Sequence, residues 1–374
     1  MKIIVCALAH LENSPRPNRM VRLLKNNHEL TYAGFSSNMI DIDFIKIPKK
    51  KNLYVRMISL LFKVFRLHKF ISRISYHLNI DANMLEQFDV IICHDIQLMP
   101  YFEKVNPSCR IVLDLREFYP RQFENDFLWS FLEKPFQHYL CEKYLPKAHQ
   151  CITVSSGLKT EYKNIYHIDA EIVHSVAPKS ELVLKLNTGK PIKLIYHGIA
   201  NKARRIKSII EAMDSVKSEA HLDLMVVGNK RYIDELKRMA RDRNNVSVLS
   251  PVAYKKIVEV TNDYDVGVIF LPPSTFNLQH CLPNKLFEMI QAKVPIITSP
   301  LTELKTFILK YDIGWVTSSF DKKTLVKLIN QLNHSSINIK KLNVDKVSSF
   351  LNQEYANDDL SLILLGSSDK RPEC

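Results

Sequence analysis

The chain has 374 residues, enough for two domains that each bury a hydrophobic core. Hydrophobic residues make up 46% of it and charged residues 24%, which excludes a disordered or fibrous protein, and the net charge of +13 predicts an anionic partner. The seven cysteines are scattered without a C-x-x-C pair, so neither a zinc site nor a disulfide framework is predicted and a reducing cytoplasm fits best.

The N-terminal stretch MKIIVCALAH carries an apolar run that is too short for a signal peptide and is interpreted as a β-strand, Lys2 to Ala9. A loop is predicted next, followed by a helix that begins with Met20 to Lys25. Arg16 and Arg19 are predicted to be solvated on this loop, and contact with a donor phosphate or an acceptor is the alternative. No apolar run of the sequence approaches the roughly 20 residues of a membrane-spanning helix.

Residues 44–80 contain nine Lys and Arg residues and no Asp or Glu. A single helix is predicted over Tyr54 to Leu78, because apolar residues cover a wide arc at about 100° per residue and basic residues a narrower one. A basic amphipathic helix is typical of a membrane-surface element, and we expect residues 46–73 to bind an anionic leaflet. The alternative is a helix packed on its own domain with a solvated basic edge. Nucleic acid is not expected as a partner, because no nucleic-acid-binding motif accompanies the charge.

Polar residues follow two predicted buried strands, at 88–93 and 111–115. They are His94, Asp95, Asp114, Arg116 and Glu117. Ligands of parallel α/β sheets bind at the carboxyl ends of strands, so two such groups on successive strands predict a site. His94 can shuttle a proton or bind a sugar hydroxyl, and Asp114 and Glu117 can orient an acceptor hydroxyl. For each residue alone, capping of a strand-to-helix turn is the alternative.

The remaining elements of the first half are a long helix over Phe127 to Tyr144 and strands at Cys151 to Ser155 and Glu171 to Val176. Prolines, a glycine and mixed polar residues between 177 and 191 then predict a domain boundary.

This boundary divides the chain into a first domain of residues 1–178 and a second domain of residues 190–345. A final helix within 346–366 is expected to cross back to the first domain. The tail after it is expected to be disordered.

The second domain is predicted to begin with a strand at Lys193 to Tyr196, followed by Gly198 and a basic loop. Gly198 allows close approach of the backbone to a ligand, and Arg204 and Arg205 are placed to hold a diphosphate. Basic residues at a helix N-terminus are disfavoured by the helix dipole, so a phosphate contact is favoured over a purely structural role. Later elements are strands at Leu222 to Val227 (ending at Gly228), Val246 to Leu249, Asp265 to Phe270, Val294 to Thr298 and Tyr311 to Trp315, and a helix over Val347 to Leu365.

The segment NLQHCLPNKLFEMIQAKVPIITSP, which begins at Asn277, combines a polar loop, a helix and a buried strand. Pro283 and Asn284 suit the start of the helix. The N–H groups of its first turn favour a phosphate, to which Lys285 adds positive charge, and Glu288 can accept two ribose hydroxyls. An ordinary amphipathic helix with a solvated Lys and Glu is the alternative.

This segment resembles the donor-binding signature of glycosyltransferase family 4, whose members are retaining enzymes with a GT-B fold. Glu288 matches the second acid of the family's pair, and Ala292 and Gly314 fall at the family's small residue and later glycine. The LPNKLFE form resembles that of bacterial surface-polysaccharide transferases. Arg205 matches the family's later basic position.

The sequence departs from the family pattern at two positions. His280 stands in place of the first acid, which the family associates with the donor sugar, and Ile199 stands in place of an Arg. In the first half, DLREFYP resembles the family's D-x-H-E-x-x-P stretch, with Arg116 instead of His.

The resemblance implies an α/β GT-B fold, with two doubly wound Rossmann-like domains facing across a cleft. It implies that residues 1–178 form an acceptor-binding domain and residues 190–345 a nucleotide-sugar-binding domain. It implies transfer of a sugar, with retention, from a nucleotide-sugar to a lipid-linked or polysaccharide acceptor in bacterial surface-glycan synthesis (capsule, O-antigen or lipopolysaccharide). Neither a metal nor another cofactor is expected. The implied location is the cytoplasm, at the inner face of the plasma membrane.

The implied acceptor-side residues are His94, Asp95, Asp114 and Glu117. The implied donor-binding residues are Gly198, Arg204, Arg205, Gly228, Asn277, His280, Pro283, Asn284, Lys285 and Glu288. Two other functions stay open: a nucleotide-sugar epimerase of the same fold, and a catalytically silent membrane scaffold, which the His280 and Ile199 departures favour.

Overall fold

A computed structural model describes residues 1–48, 53–74, 80–105, 107–189, 191–354, 356, 360 and 363–364. The chain divides into two compact units. The first holds Met1–Ser175, Thr275–Asn277 and the described residues from 356 onward, and the second holds Val176–Ser274 and the described residues from 278 to 354. The predicted helix end at 75–78 and the tail after 365 lie outside the described residues.

The first unit contains a parallel sheet with the strand order β3-β2-β1-β4-β5-β6-β7. Its strands are β1 (Lys2–Cys6), β2 (Glu29–Gly34), β3 (Asp43–Lys46), β4 (Val90–Cys93), β5 (Arg110–Leu115), β6 (Gln150–Thr153) and β7 (Glu171–Ile172). Its helices are α1 (Pro15–Leu24), α2 (Leu53–Val64), α3 (His68–Ile74), α4 (Ala82–Leu85), α5 (Met99–Val105), α6 (Phe127–Leu132), α7 (Lys134–Tyr144) and α8 (Ser156–Tyr166).

The strands of this sheet are apolar on both faces because both faces are covered. In β1, Ile4 packs in one hydrophobic cluster, and Ile3 and Val5 pack in another. Leu360 and Leu364, near the end of the described chain, belong to the second cluster. The C-terminal segment therefore completes the core of the first unit.

The second unit contains a parallel sheet with the order β10-β9-β8-β11-β12-β13. Its strands are β8 (Ile192–Ala200), β9 (Ala220–Gly228), β10 (Val246–Leu249), β11 (Val266–Ile269), β12 (Ile296–Thr298) and β13 (Gly314–Val316). The helices after β8 are α9 (Ile206–Met213), α10 (Lys230–Arg241), α11 (Ile257–Thr261), α12 (Phe276–Gln279), α13 (Asn284–Gln291), α14 (Thr302–Tyr311), α15 (Lys322–Gln331) and α16 (His334–Ser348). Short 3₁₀ turns lie at Leu11–Asn13, Ile96–Leu98, Tyr119–Arg121, Leu145–Lys147, Lys202–Arg204 and Tyr254–Lys256.

The prediction of a solvated loop at Arg16 and Arg19 was wrong. Helix α1 begins at Pro15, whose fixed φ suits the first turn, and both arginines are buried on this helix. The Arg19 guanidinium donates to the backbone oxygen of Ser175. Arginine side chains are usually predicted to be solvent-exposed. Their burial here depends on hydrogen-bond partners that are far away along the chain, which the sequence does not show.

The single helix predicted from Tyr54 is broken in two. Arg66 has left-handed backbone with φ 58°, and the Leu67 N–H donates to the Phe62 oxygen at 2.8 Å. This six-residue closure is the hydrogen bond that ends helices in a Schellman motif, and it separates α2 from α3. No glycine marks the position in the sequence.

Other predicted boundaries also shifted. The helix predicted over 127–144 is divided into α6 and α7, with Pro135 in the first turn of α7, and β8 continues through Gly198 to Ala200 where a loop was expected. Tyr311 ends a helix, so the late strand β13 begins only at Gly314. Residues 347 and 348 end α16, and helix resumes at Gln353. Strands β2 and β3 were not predicted.

Candidate functional site

Asp114 is the centre of a buried charged cluster in the first unit. Its two carboxylate oxygens accept from the Arg16 guanidinium at 2.6 and 2.7 Å, and its Oδ2 also lies 2.7 Å from His94 Nδ1. Asp114 and His94 are fully buried. Burial raises the pKa of Asp114, but Arg16 and His94 outweigh it and hold that pKa well below its usual range. The carboxylate is therefore ionised and orients the imidazole.

His94 is held with one nitrogen toward Asp114 and the other unused. Its Nε2 has no hydrogen-bond partner among the described residues. The Tyr119 hydroxyl donates to the His94 backbone oxygen at 3.0 Å, which fixes the end of β4 from the other side. An imidazole oriented by a carboxylate in this way can bind or relay a proton at Nε2.

Asp95 and Glu117, which were also predicted on the acceptor side, interact with other groups. The Asp95 carboxylate accepts from the Leu8 N–H at 2.7 Å and from Arg116 Nη2 at 3.1 Å. Burial raises the pKa of Glu117, against the lowering effect of Arg116. Arg116 thus lies between two carboxylates at the carboxyl ends of β4 and β5, where the sequence predicted a polar site.

In the second unit, Gly198 lies near the end of β8 with φ 131°, a conformation that favours glycine. A Cβ placed there would lie 3.7 Å from Lys285 Nζ and 3.8 Å from Arg204 Nη1. Both cations therefore approach one point of the β8 backbone. The predicted neighbour Arg205 is exposed and has left-handed backbone with φ 48° at the start of α9.

Lys285 is the most unusual residue of the second unit. Its side chain is 4% exposed, its Nζ lies 3.7 Å from the centre of the Tyr196 ring, and Nζ has no hydrogen-bond partner among the described residues. Burial, and then the nearby Arg204, lower the pKa of Lys285 well below its usual value. A buried basic side chain beside a second one, offset only in part by the nearby Glu288 carboxylate, marks a place that favours an anion.

Helix α13 brings Lys285 and Glu288 to this place. Pro283 precedes the helix and provides no side-chain cap, and Asn284 is its first residue. Glu288 is buried one turn in, with Oε2 3.7 Å from His197 Nδ1. Burial, with a contribution from Lys285, lowers the pKa of His197 to about 3, so this imidazole is neutral near pH 7.

His280 is paired in space with an acid that the sequence did not single out. Its Nδ1 lies 3.7 Å from Oε1 of Glu303, a buried residue in the first turn of α14. Glu303 thus brings a carboxylate next to the position where His280 replaces the acid of the family pattern. Burial raises the pKa of the neighbouring Cys281 thiol to about 11, so this thiol is not a ready nucleophile.

Two predicted donor residues have backbone roles. Asn277 belongs to the first unit, where its amide accepts from the Phe118 N–H at 2.7 Å and donates to the Phe118 oxygen at 3.2 Å. Gly228 ends β9 with φ 131°, and a Cβ there would lie 3.2 Å from the Ala200 oxygen.

Sequence reasoning missed the site roles of Arg16, Tyr196, His197 and Glu303. Arg16 and Glu303 act through partners far away in the chain, which spacing does not reveal. His197 and Tyr196 do precede Gly198 at the end of a strand, and that position could have marked them. Among the described residues, no group of three His, Cys, Asp or Glu is placed to hold a metal ion.

We expect a His197→Asn variant to lose part of the acid sensitivity of the protein. The unfolded imidazole has an ordinary pKa of 6.5 and the folded one a pKa of about 3, so between these values the unfolded state binds more protons. The free energy of unfolding of the native protein therefore falls as the pH falls through this window, at up to ~1.4 kcal/mol per pH unit from this group. Chemical denaturation across the window measures the difference between the two proteins.

The control for this prediction is His167→Asn, because His167 is exposed and has left-handed backbone that Asn tolerates. Its pH dependence should follow the native protein. A His197→Asn variant whose unfolding free energy keeps the native slope would show that His197 is protonated in the fold.

Comparison with known families finds one match in the sequence. Residues 180–345 match the family model described as glycosyl transferases group 1. None of the curated proteins compared with the chain matches its sequence.

Comparison with solved structures finds similar folds over nearly the whole chain. The lipopolysaccharide outer core galactosyltransferase WaaB in its apo form has a TM-score of 0.62 and 12% identity, covering 98% of this chain and 99% of that one. HepE from Anabaena in complex with UDP-glucose has a TM-score of 0.68 and 11% identity, covering 98% and 100%. WaaG, a glycosyltransferase involved in lipopolysaccharide biosynthesis, has a TM-score of 0.64 and 12% identity, covering 98% and 100%. These likenesses and the two parallel sheets confirm the predicted GT-B fold.

Proposed function

We propose that this chain, a glycosyltransferase whose residues 180–345 belong to the glycosyl transferases group 1, transfers a sugar with retention from a nucleotide-sugar donor to a lipid-linked or polysaccharide acceptor of a bacterial surface glycan. Capsule, O-antigen and lipopolysaccharide are the glycans concerned. We assign the donor to the second unit and the acceptor to the first. WaaB is a lipopolysaccharide outer core galactosyltransferase, and WaaG is a glycosyltransferase involved in lipopolysaccharide biosynthesis. HepE forms a complex with UDP-glucose, and together these similarities support this class of reaction.

The observation that carries the proposal is the buried Lys285 side chain, whose Nζ lies with the Arg204 guanidinium at one point of the β8 backbone. A diphosphate at this point would pair with Lys285 and Arg204 and accept hydrogen bonds from the first turn of α13. Leaving-group charge that develops on the diphosphate during transfer would then meet fixed positive groups that need no rearrangement. This gives the second unit the means to activate a nucleotide-sugar with protein groups.

The other donor contacts follow from this placement. Glu288 lies one helical turn beyond Lys285, the distance from a diphosphate at which a ribose would follow, and its carboxylate is suited to accept ribose hydroxyls. We assign the donor sugar to the pair formed by His280 and Glu303, which lie 3.7 Å apart. This pair supplies an acceptor and a donor of hydrogen bonds where the family pattern has a single acid.

On the acceptor side, we assign the contact with the attacking hydroxyl to His94 Nε2, with Asp114 and Arg16 as its supports. Asp95 and Glu117 border the same edge of the sheet and would position the rest of the acceptor. Because Asp114 stays ionised over the ordinary pH range, the orientation of His94 persists wherever the protein is folded.

The partner we propose for residues 46–73 is the anionic inner face of the plasma membrane, which would bring the first unit to a lipid-linked acceptor. Lys46, Arg56 and Lys69 are exposed in this segment. Attraction of such residues to an anionic leaflet is worth roughly 1 kcal/mol each. No helix among the described residues has the length and apolarity to cross a membrane.

The decisive experiment measures the thermal stability of the full chain with UDP, GDP, CDP, ADP and CMP compounds. A ligand that binds only the folded protein raises the melting temperature by mass action. We expect one nucleoside diphosphate to do so and Glu288→Gln, which removes the charge at almost constant shape, to abolish the shift. Glu259→Gln is the control, because Glu259 is exposed on α11 of the same unit.

The outcomes separate the candidate functions. A shift that Glu288→Gln abolishes, together with turnover of the matching nucleotide-sugar, supports the transferase. Binding without turnover would favour the catalytically silent scaffold. A panel without any shift would contradict the donor assignment altogether.

A further inference from the structure

Helix α2 exposes its apolar face to solvent. At 100° per residue, Leu53, Tyr54, Met57, Leu60, Leu61, Val64 and the following Phe65 fall within one arc of about 140°. All seven are exposed, Leu53 by 70% and Phe65 by 67%. Amphipathic helices of globular proteins turn such an arc toward the core, whereas here only the opposite side, with Ser59 and Phe62, packs inward.

A second segment, which includes the start of the helix predicted over 127–144, extends this surface. Helix α6 and the turn before it expose Phe123, Phe127, Leu128 and Phe131, with Phe127 82% exposed and Leu128 66% exposed. Eight large apolar side chains of the two segments are more than half exposed: Leu53, Tyr54, Met57, Leu61, Phe65, Phe123, Phe127 and Leu128. Apolar patches of this extent on a soluble protein mark an interaction site.

The two helices form one surface because charged side chains hold them together. Lys63 of α2 pairs with Glu133, directly after α6. The Arg66 guanidinium donates to the Phe131 oxygen at 2.6 Å and lies 4.9 Å from the Phe131 ring centre. These two basic residues are therefore engaged within the protein, while Arg56, next to the apolar arc of α2, stays exposed, as does Lys69 in α3.

We infer that the α2–α6 surface inserts its apolar side chains into the interfacial region of a lipid bilayer. Aromatic and aliphatic side chains bordered by exposed basic residues are the composition of helices that lie in a membrane interface. Membrane insertion deepens the proposed function, and it rests on that function only in so far as the acceptor is bound to a membrane. The main contact with the membrane would then be made by the apolar faces of α2 and α6 and not by the basic residues of one helix.

A second copy of the chain is a poorer occupant. In a symmetric dimer the same patch meets itself, so the basic residues at its border would face one another. Residues 44–80 contain no acid, and Asp126, the exposed acid beside Phe127, already caps α6. An anionic bilayer has the complementary charge, and its acyl region accepts apolar side chains without a matched shape.

The test is flotation of the full chain with vesicles of phosphatidylcholine alone or with added phosphatidylglycerol, in the absence of any donor. Salt is varied from about 0.1 M to 1 M, which shortens the screening length from about 10 Å to 3 Å. We expect part of the binding to survive high salt, and a Phe127→Ser/Leu128→Ser variant to bind at least tenfold more weakly. Leu309→Ser/Ile339→Ser is the matched control, because both residues are exposed in the second unit.

Unchanged binding by the Phe127→Ser/Leu128→Ser variant would overturn the inference, as would binding that disappears entirely at high salt. A dimer in solution that this variant dissociates would assign the surface to a second copy instead. All four positions are exposed, so melting temperature and circular dichroism should confirm intact folding. Because no donor is present, failure here leaves the nucleotide-binding result untouched, and failure of that experiment leaves this one interpretable.

Discussion

Replacing Lys285 with Met is expected to lower turnover by a factor of about 10²–10³, the usual effect of removing one preorganised group that stabilises developing charge. Met fills a similar volume but cannot pair with a diphosphate. The melting-temperature shift with the active nucleoside diphosphate should disappear in the variant. Lys305→Met, at an exposed position of α14, is the control and should keep both properties.

The same substitution is expected to stabilise the ligand-free protein, because it removes a buried ammonium that lacks a hydrogen-bond partner among the described residues. The unfolded Lys binds a proton up to its ordinary pKa of 10.5, and the folded one only up to its lowered pKa. Between these values the unfolded state binds more protons, so the native protein gains stability as the pH rises.

The Met variant lacks this gain. Its advantage in unfolding free energy should therefore be largest at low pH and should vanish as the pH approaches 10.5. Chemical denaturation of both proteins across this range measures the difference. A variant less stable than the native protein at every pH would mean that Lys285 has a counterion in the free protein, and an unchanged nucleotide shift would refute its role in binding.

Replacing Asp114 with Asn is expected to lower the free energy of unfolding by ~3–5 kcal/mol, because the Arg16 charge then stays buried without a counterion. The ionised carboxylate stabilises the fold above its ordinary pKa of 3.8, and this contribution is lost only as the pH falls through the lowered folded value. The loss in the variant should therefore be nearly constant above pH 3.8. Asp41→Asn, at an exposed ion pair with Lys25, should leave the unfolding midpoint unchanged.

A second variant separates folding from function at this cluster. Arg16→Met/Asp114→Leu replaces the buried ion pair with apolar groups and should recover most of the lost stability. It should still bind nucleotide, because the donor residues lie in the other unit. It should not transfer sugar, because His94 lacks the carboxylate that orients it. Full transfer activity in this stabilised double variant would exclude His94 and Asp114 from the reaction.

The periodicity of the sequence predicted most strands of the two sheets, but not β2 and β3, and the GT-B fold was implied by the family resemblance. Short apolar runs separated by helices predicted two parallel sheets, since strands covered on both faces need apolar residues at every position. It also placed Glu288 one turn into the helix, on the same side as Asn284, since residues four apart lie on one helix face. The break at Arg66 escaped prediction because left-handed backbone at a non-glycine residue leaves no mark in the sequence.

The sequence by itself therefore determined most strands of the two sheets and the helix α13 with Lys285 and Glu288 on it, because these depend on local period and spacing. The tertiary structure alone decided which charges are paired. Asp114 pairs with Arg16, 98 residues away along the chain, and Lys285 lies beside Arg204 with no hydrogen-bond partner for its Nζ among the described residues. It also decided that the apolar face of α2 meets solvent. A pattern of residues defines a face, but what covers that face depends on how distant segments pack.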